Sequence, residues 1–299
     1  SRSARTPILY VGANDGMLHG FKADGPNNLL VEQIAYVPSP VYDNLSALTD
    51  PNYTHQFYVD GSPTNDDAFF GGSWHSVLAG GLNRGGQGLY AVDITYRAIF
   101  HETSPNPDNI VLWEFTDADD ADLGYTYSQP AIVRMHNGVW AAVFGNGYNN
   151  RDPDGNVSAT GNAVLYIVDI SDGTLIKKID TGVGDTTFPN GLATPAVVDI
   201  NNDNIADMIY AGDLRGNLWK FDVDDTNTNQ WGVAYQVSGT DTPLFTATDG
   251  ATPTPVPQPI TSRPEVGRGA FGTDLMVYFG TGKYLGSPDI ADTSTQTYY

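Results

Sequence analysis

Cysteine is absent from the 299 residues, which excludes disulfides, thiolate-bound zinc, iron–sulfur clusters and a thiol nucleophile. Basic residues are scarce: 14 Lys and Arg stand against 35 Asp and Glu, a formal net charge of -21. Affinity for nucleic acid rests on Lys and Arg displacing counterions from phosphates, so no nucleic-acid partner is expected. Long apolar runs are missing as well. Val139-Trp140-Ala141-Ala142-Val143-Phe144 is among the longest and Gly145 ends it, far short of the ~18 residues a spanning helix needs, so no transmembrane segment is expected. The start, Ser1-Arg2-Ser3-Ala4-Arg5-Thr6-Pro7, has neither an initiator Met nor the apolar core of a signal peptide, and reads as the boundary of a fragment of a larger protein. What remains is ample for a core: 40% hydrophobic and 11% aromatic residues, which argues against disorder despite the charge.

The apolar residues fall in short β-branched and aromatic runs, each closed by Gly, Asn or Asp. Residues 8–21 read as strand, Asn14-Asp15-Gly16 turn and strand, because Asp-Gly readily takes the φ > 0 geometry of tight hairpins. The same pattern returns at 208–222 around Gly212-Asp213-Leu214-Arg215-Gly216, and a diverged third copy spans 275–285. Half-copies lie at 88–94 and 163–179. Such an irregular repeat of hairpins predicts an all-β fold, a β-propeller whose blades bury their faces against one another, with residues 1–299 as a single domain. Three segments read as long inserted loops: Ser39 to Pro63 with a short helix, Thr103 to Asn109, and Thr240 to Pro264, where Pro243, Pro253, Pro255, Pro257 and Pro259 exclude a central strand. Thr293 to Tyr299 is expected to trail off without a partner strand, leaving the ring incomplete at the C-terminus.

The strongest chemical motif runs from Asp199 to Asp207. Asp199, Asn201, Asp203 and Asp207 place oxygen-bearing side chains at positions 1, 3, 5 and 9, and Ile205 at position 7 offers its backbone carbonyl. Calcium takes six to eight hard oxygens, and alternating acidic residues in a tight loop can wrap one ion. The spacing matches the first half of an EF-hand loop, but Asn204 replaces the usual Gly at position 6 and Tyr210 stands where a Glu would close the loop. Asn tolerates the left-handed backbone, and Asp207 would then be the bidentate ligand. Both flanks are strand-like, so Ca2+ here would staple a hairpin tip. The alternative is a solvated acidic turn without metal. Asp117, Asp119, Asp120 and Asp122 form a second cluster that reads as a solvated loop, and Asp152-Pro153-Asp154-Gly155-Asn156 reads as an ordinary turn.

Catalytic signatures are wanting. The five His, at 19, 55, 75, 101 and 136, form no His-Glu-x-x-His pair, and the sequence holds no Gly-x-Ser-x-Gly elbow; packing or surface roles are expected for them. Gly80-Gly81 and Gly85-Gly86-Gln87-Gly88 precede no Gly-Lys-Ser/Thr and read as turn glycines rather than a phosphate cradle.

Residues 10–19, 57–63, 113–124, 143–149, 210–222, 262–266 and 279–285 together resemble the C-terminal propeller domain of the PilY/PilC family, in the family's order. The resemblance implies a modified, quinoprotein-like propeller and a non-enzymatic protein of the type IV pilus tip. It implies roles in pilus biogenesis, twitching motility and adhesion, with minor pilins and a host or abiotic surface as partners and an extracellular, cell-surface location. It further implies that Asp199, Asn201, Asp203, Ile205 and Asp207 hold a calcium ion that governs extension and retraction; Asn201, where many relatives carry Asp, weakens the attraction without removing an oxygen. A rival reading is a quinone-cofactor (PQQ-type) dehydrogenase, since residues 166–175 resemble quinoprotein blade repeats, although the vicinal cysteines common in such enzymes are missing. A carbohydrate-binding propeller is a third reading, without a repeated Asp-box to carry it.

Overall fold

The structure, a computed structural model, describes residues 6–23, 31–103, 107–150, 155–269, 272 and 274–299. Strands β1 (Ile8–Gly12), β2 (Leu18–Lys22) and β3 (Glu32–Tyr36) form a first antiparallel sheet. A second holds β4 (Thr64–Phe70), β5 (Ser73–Gly81), β6 (Gly88–Asp93) and β7 (Val111–Thr116), and a third holds β8 (Ala131–Arg134), β9 (Trp140–Gly145), β10 (Asn162–Asp169) and β11 (Leu175–Gly184). The fourth is built of β12 (Ala196–Val198), β13 (Met208–Gly212), β14 (Asn217–Asp222) and β15 (Gly232–Val233), and the fifth is the hairpin of Glu265–Arg268 with Leu275–Tyr278. Within each of these sheets, strands adjacent in sequence are adjacent in space, which is the meander of a propeller blade.

The period-2 alternation of each strand decides how the sheets stack, because successive side chains face opposite ways. On β9, Ala142 and Phe144 enter a core shared with the second sheet, while Ala141 and Val143 enter one shared with the fourth. β10 divides likewise, Val164, Tyr166 and Val168 on one side, Ala163, Leu165 and Ile167 on the other, all fully buried. A strand covered on both faces reads in sequence as an unbroken apolar run, as residues 163–168 do. Leu18, Tyr58, Leu78 and Tyr90 join the first sheet to the second, and Leu218, Ile260 and Phe279 join the fourth to the last hairpin. The first and last sheets keep one open face: Leu9, Val11, Met276 and Tyr278 are exposed.

Turn chemistry explains the recurrent hairpin signature. Asp213, fully buried, accepts five hydrogen bonds: from the backbone N–H of Arg215 and Asn217, the amides of Asn190 and Asn217, and the indole N–H of Trp219. Gly216 takes φ 78°, where a Cβ would also meet the Ala247 and Gln258 carbonyls at 2.7 Å. The β13–β14 repeat is therefore a carboxylate that organises its own turn, with glycine where a side chain has no room.

The insertions follow the sequence in part. Ser39–Thr49 is a 3-10 helix, with Pro40 at its start. The segment 240–264 holds only two-residue strands, but Phe245–Thr246 does pair with the edge of β14. Two expectations at the C-terminus are corrected. The copy at 275–285 is not a hairpin of its own, because Leu275–Tyr278 pairs backwards with Glu265–Arg268. Nor does the terminal segment trail off: Tyr299 exchanges backbone hydrogen bonds with Phe279 and stacks on its ring at 5.3 Å, since that apolar face would otherwise be wet.

Candidate functional site

The loop 199–207 joins β12 to β13, whose last and first residues, Val198 and Met208, are register partners, so it is a hairpin tip. Asp199 is its organiser: Oδ1 accepts the N–H groups of Asn202 at 2.6 Å and Asp203 at 3.2 Å, and Oδ2 that of Asn204 at 2.7 Å. Asn201 Oδ1 accepts the Asp203 N–H and Asp203 Oδ1 the Ile205 N–H, both at 2.8 Å. Two left-handed residues, Asn202 (φ 64°) and Asn204 (φ 65°), let the chain wind this tightly; Asn204 occupies the position where an EF-hand has Gly. Among the described residues neither Asp199 nor Asp203 has an ion-pair partner. The nearby cation, Arg268, donates instead to the Ile200 carbonyl at 3.0 Å. Asp199, Asn201 and Asp203 thus offer hard oxygens of the kind calcium takes, each already accepting a backbone N–H of the loop.

Asp207 sits differently from the other three. It is buried, with Oδ2 held by the Ile200 N–H at 2.6 Å and Oδ1 by His136 Nε2 at 2.8 Å; the same His136 nitrogen lies 3.2 Å from Asp224. His136, Asp207 and Asp224 are the set whose ligand atoms lie within 4.8 Å of one another among the described residues; Asp199, Asp203 and Asp207 do not form such a set. Backbone bonds bring the three segments together: Ala206 donates to the Arg134 carbonyl at 2.9 Å, and Val223 to that of Asp207 at 3.0 Å. His136 lies in the β8–β9 turn and Asp224 just beyond β14, so no local spacing in the sequence points to either. The register of the third and fourth sheets is what makes them neighbours of the loop.

The cluster at 117–122 departs from the solvated loop that its composition suggests. Lys178 Nζ, on β11, reaches Asp120 at 2.7 and 2.8 Å and Asp122 at 2.6 Å, and Tyr166 donates to Asp120 at 2.9 Å. Asp120 and Asp122 side chains are only 16% and 13% exposed, so an ammonium already occupies the place a metal would take. Burial pushes the Asp120 carboxyl up, but Lys178, the Asp122 N–H and the Tyr166 hydroxyl outweigh it and hold it below the usual range. Burial likewise favours a neutral Lys178, and the two carboxylates more than reverse that, raising it. In the third acidic segment, Asp152, Pro153 and Asp154 lie outside the described residues.

A separate cavity of about 860 Å3 opens where loops of several sheets converge, lined in part by Arg84, Tyr127, Phe188, Arg215 and Lys283. No helix among the described residues is long and apolar enough to cross a membrane.

Comparison with known proteins accords with this architecture. The sequence profile of the PilY1 beta-propeller domain matches residues 1–299. The Type IV pilus biogenesis factor PilY1 of Pseudomonas aeruginosa PAO1 is 42% identical over 317 residues, covering 100% of this chain and 25% of that protein. A PilY1 homolog of Xylella fastidiosa is 42% identical over 300 residues, covering 97% of this chain and 19% of that protein. The chain thus spans about a quarter or less of the length of these curated relatives. The crystal structure of the P. aeruginosa PilY1 C-terminal domain superposes with a TM-score of 0.78 at 40% identity, covering 99% of this chain and 57% of that one. The chain belongs to the PilY1 beta-propeller domain family.

Proposed function

We propose that this chain is a non-enzymatic, calcium-binding propeller domain of a type IV pilus-associated protein, acting in pilus biogenesis at the cell surface. The observation that carries the reading is the loop 199–207, a set of hard oxygens wound on a hairpin tip without a cation of its own. The naming of its relatives as type IV pilus biogenesis factors supplies the biological setting.

In this reading Asp199, Asn201, Asp203 and Asp207, with the carbonyl of Ile205, hold the ion. Calcium would draw together and neutralise carboxylates that at present accept backbone N–H groups of their own loop. Asp199 keeps the loop wound through three backbone N–H groups, and the His136 contact fixes the orientation of the buried Asp207. Binding confined to the folded loop stabilises it by mass action, about 2.7 kcal/mol at a hundredfold excess over Kd. A term of that size can bias a docking surface between two states, and so pilus extension against retraction and twitching motility. Minor pilins are the proposed protein partners, and a host or abiotic surface the proposed target of adhesion.

The test is calorimetric titration of the chain with calcium beside Asp203→Ala and Asp207→Ala, with melting curves in EDTA and in millimolar calcium. One bound ion and a raised Tm in the wild type, lost in both variants, is expected. An unchanged wild-type melting curve overturns the reading.

A further inference from the structure

The 860 Å3 cavity has a composition opposite to that of the molecule. The chain carries 35 acids against 14 bases, yet the cavity is lined by Arg84, Arg215 and Lys283 with Asp185 as its one carboxylate. Asp185 is already engaged: Arg215 Nη2 pairs with it, and it accepts the N–H groups of Thr187 at 2.8 Å and Phe188 at 2.7 Å. Lys283 is shared with Asp289, 3.0 Å away and outside the lining. Arg84 makes no close ion pair among the described residues, although Asp60, outside the lining, accepts its backbone N–H and feels its charge; its guanidinium lies 4.9 Å over the Phe57 ring. A cationic cleft in an acidic surface concentrates anions locally even where the net charge repels them at a distance.

Aromatic groups complete the lining. Phe188 is 78% exposed, and its turn is pinned by the Asp185 carboxylate and by Arg215, which also donates to the Phe188 carbonyl. A bare apolar ring on a backbone turn fixed at both its N–H and its carbonyl is costly for folding alone and offers a ligand an apolar face at a set position along the chain. Tyr127 and Tyr148, their rings 5.5 Å apart, also line the cavity. The lining backbone, by contrast, is largely spent: Tyr125 and Tyr148 exchange N–H donors with each other, and Arg215 N–H goes to Asp213. Recognition therefore falls on ring faces, phenol hydroxyls and cations rather than on strand-like pairing, which disfavours an extended peptide.

We propose that this cavity binds a carboxylated saccharide, with Arg215 and Arg84 taking ring carboxylates and Phe188 stacking against the C–H face of a sugar ring. Arg84 can pair with a carboxylate through two parallel donors, whereas Arg215, whose Nη2 goes to Asp185 and the Phe188 carbonyl, adds single donors from Nε and Nη1. A site of this volume accommodates about two to three rings. The inference is independent of calcium, because none of the residues of the loop 199–207 lines the cavity.

The experiment is calorimetric titration of the 299-residue chain, in EDTA, with trigalacturonate, with maltotriose and with an acidic hexapeptide. Trigalacturonate should bind at least about tenfold tighter than maltotriose, and more weakly as salt rises. Arg215→Gln should weaken it about tenfold and Phe188→Ala about fivefold, while Lys177→Gln, outside the lining, leaves it unchanged. Phe188→Ala guards against the chance that Arg215→Gln disturbs its turn, since the exposed ring is dispensable for packing; retained circular dichroism and Tm in both variants check this. Equal affinity for both trisaccharides, no binding up to about 10 mM, or tighter binding of the hexapeptide overturns the assignment.

Discussion

Residues 117–122 and 199–207 are both Asp-rich links between strands, yet their carboxylates are satisfied in different ways. In the first, Asp120 and Asp122 close on Lys178, whose ammonium is delivered by the register Tyr166↔Lys178 between β10 and β11. In the second, Asp199, Asn201 and Asp203 turn onto backbone N–H groups of their own loop. Composition does not distinguish these outcomes. What distinguishes them is whether the neighbouring strand delivers an ammonium to the carboxylates, as Lys178 does for Asp120 and Asp122 but no Lys or Arg does for Asp199 and Asp203 among the described residues.

The largest expected effect that sharpens this contrast is Lys178→Met. It leaves two mostly buried carboxylates unpaired and should cost about 3 kcal/mol by urea denaturation, while the calcium response of the Tm persists. A loss of that response would mean the two loops are coupled. Next is Asp199→Ala, which leaves three loop N–H groups without their acceptor and should cost about 1–2 kcal/mol even in EDTA. Asp203→Ala, with one such bond, should be close to neutral in EDTA while sharing the loss of calcium binding. Equal costs for the two in EDTA would break the view that Asp199 winds the loop.

A pH series gives a smaller effect. The folded Asp120 carboxyl lies below its ordinary 3.8, so its contribution is fully present above about that pH and is lost as pH falls through the lower folded value. Wild type should therefore lose stability below pH 3.8 more steeply than Asp120→Asn, read from unfolding midpoints; parallel curves would remove Asp120 from the acid response. The smallest effect is expected for Asp119→Ala. Asp119 takes no part in the Lys178 cluster and accepts the Thr116 N–H at 2.8 Å, a turn cap worth about 0.5–1 kcal/mol.

Much of the fold was legible because hairpins are local. The alternation of residues 8–12 and 18–22, and of 208–212 and 217–222, specifies strands, and Asp-Gly or Arg-Gly between them specifies the turn. The terminal copy misled because its apolar run takes its hairpin partner from the strand before it rather than after it, and its second neighbour, Tyr299, comes from the far end of the segment. At the candidate site the loop itself was legible from Asp199 to Asp207. His136 was not, since it reaches Asp207 from the third sheet, and Asp224 is placed beside the pair by the β13–β14 register, which no motif around the loop announces.

The sequence by itself determined the all-β repeat, the acidic balance and the oxygen spacing of the loop, because strand periodicity, charge and turn geometry are properties of near neighbours. Only the tertiary structure decided which acids meet a base, which histidine orients Asp207 and where three scarce cations gather around one cavity. Electrostatic and hydrogen-bond partners are chosen by spatial proximity, and in a meander of stacked sheets that proximity is set by register and face rather than by distance along the chain.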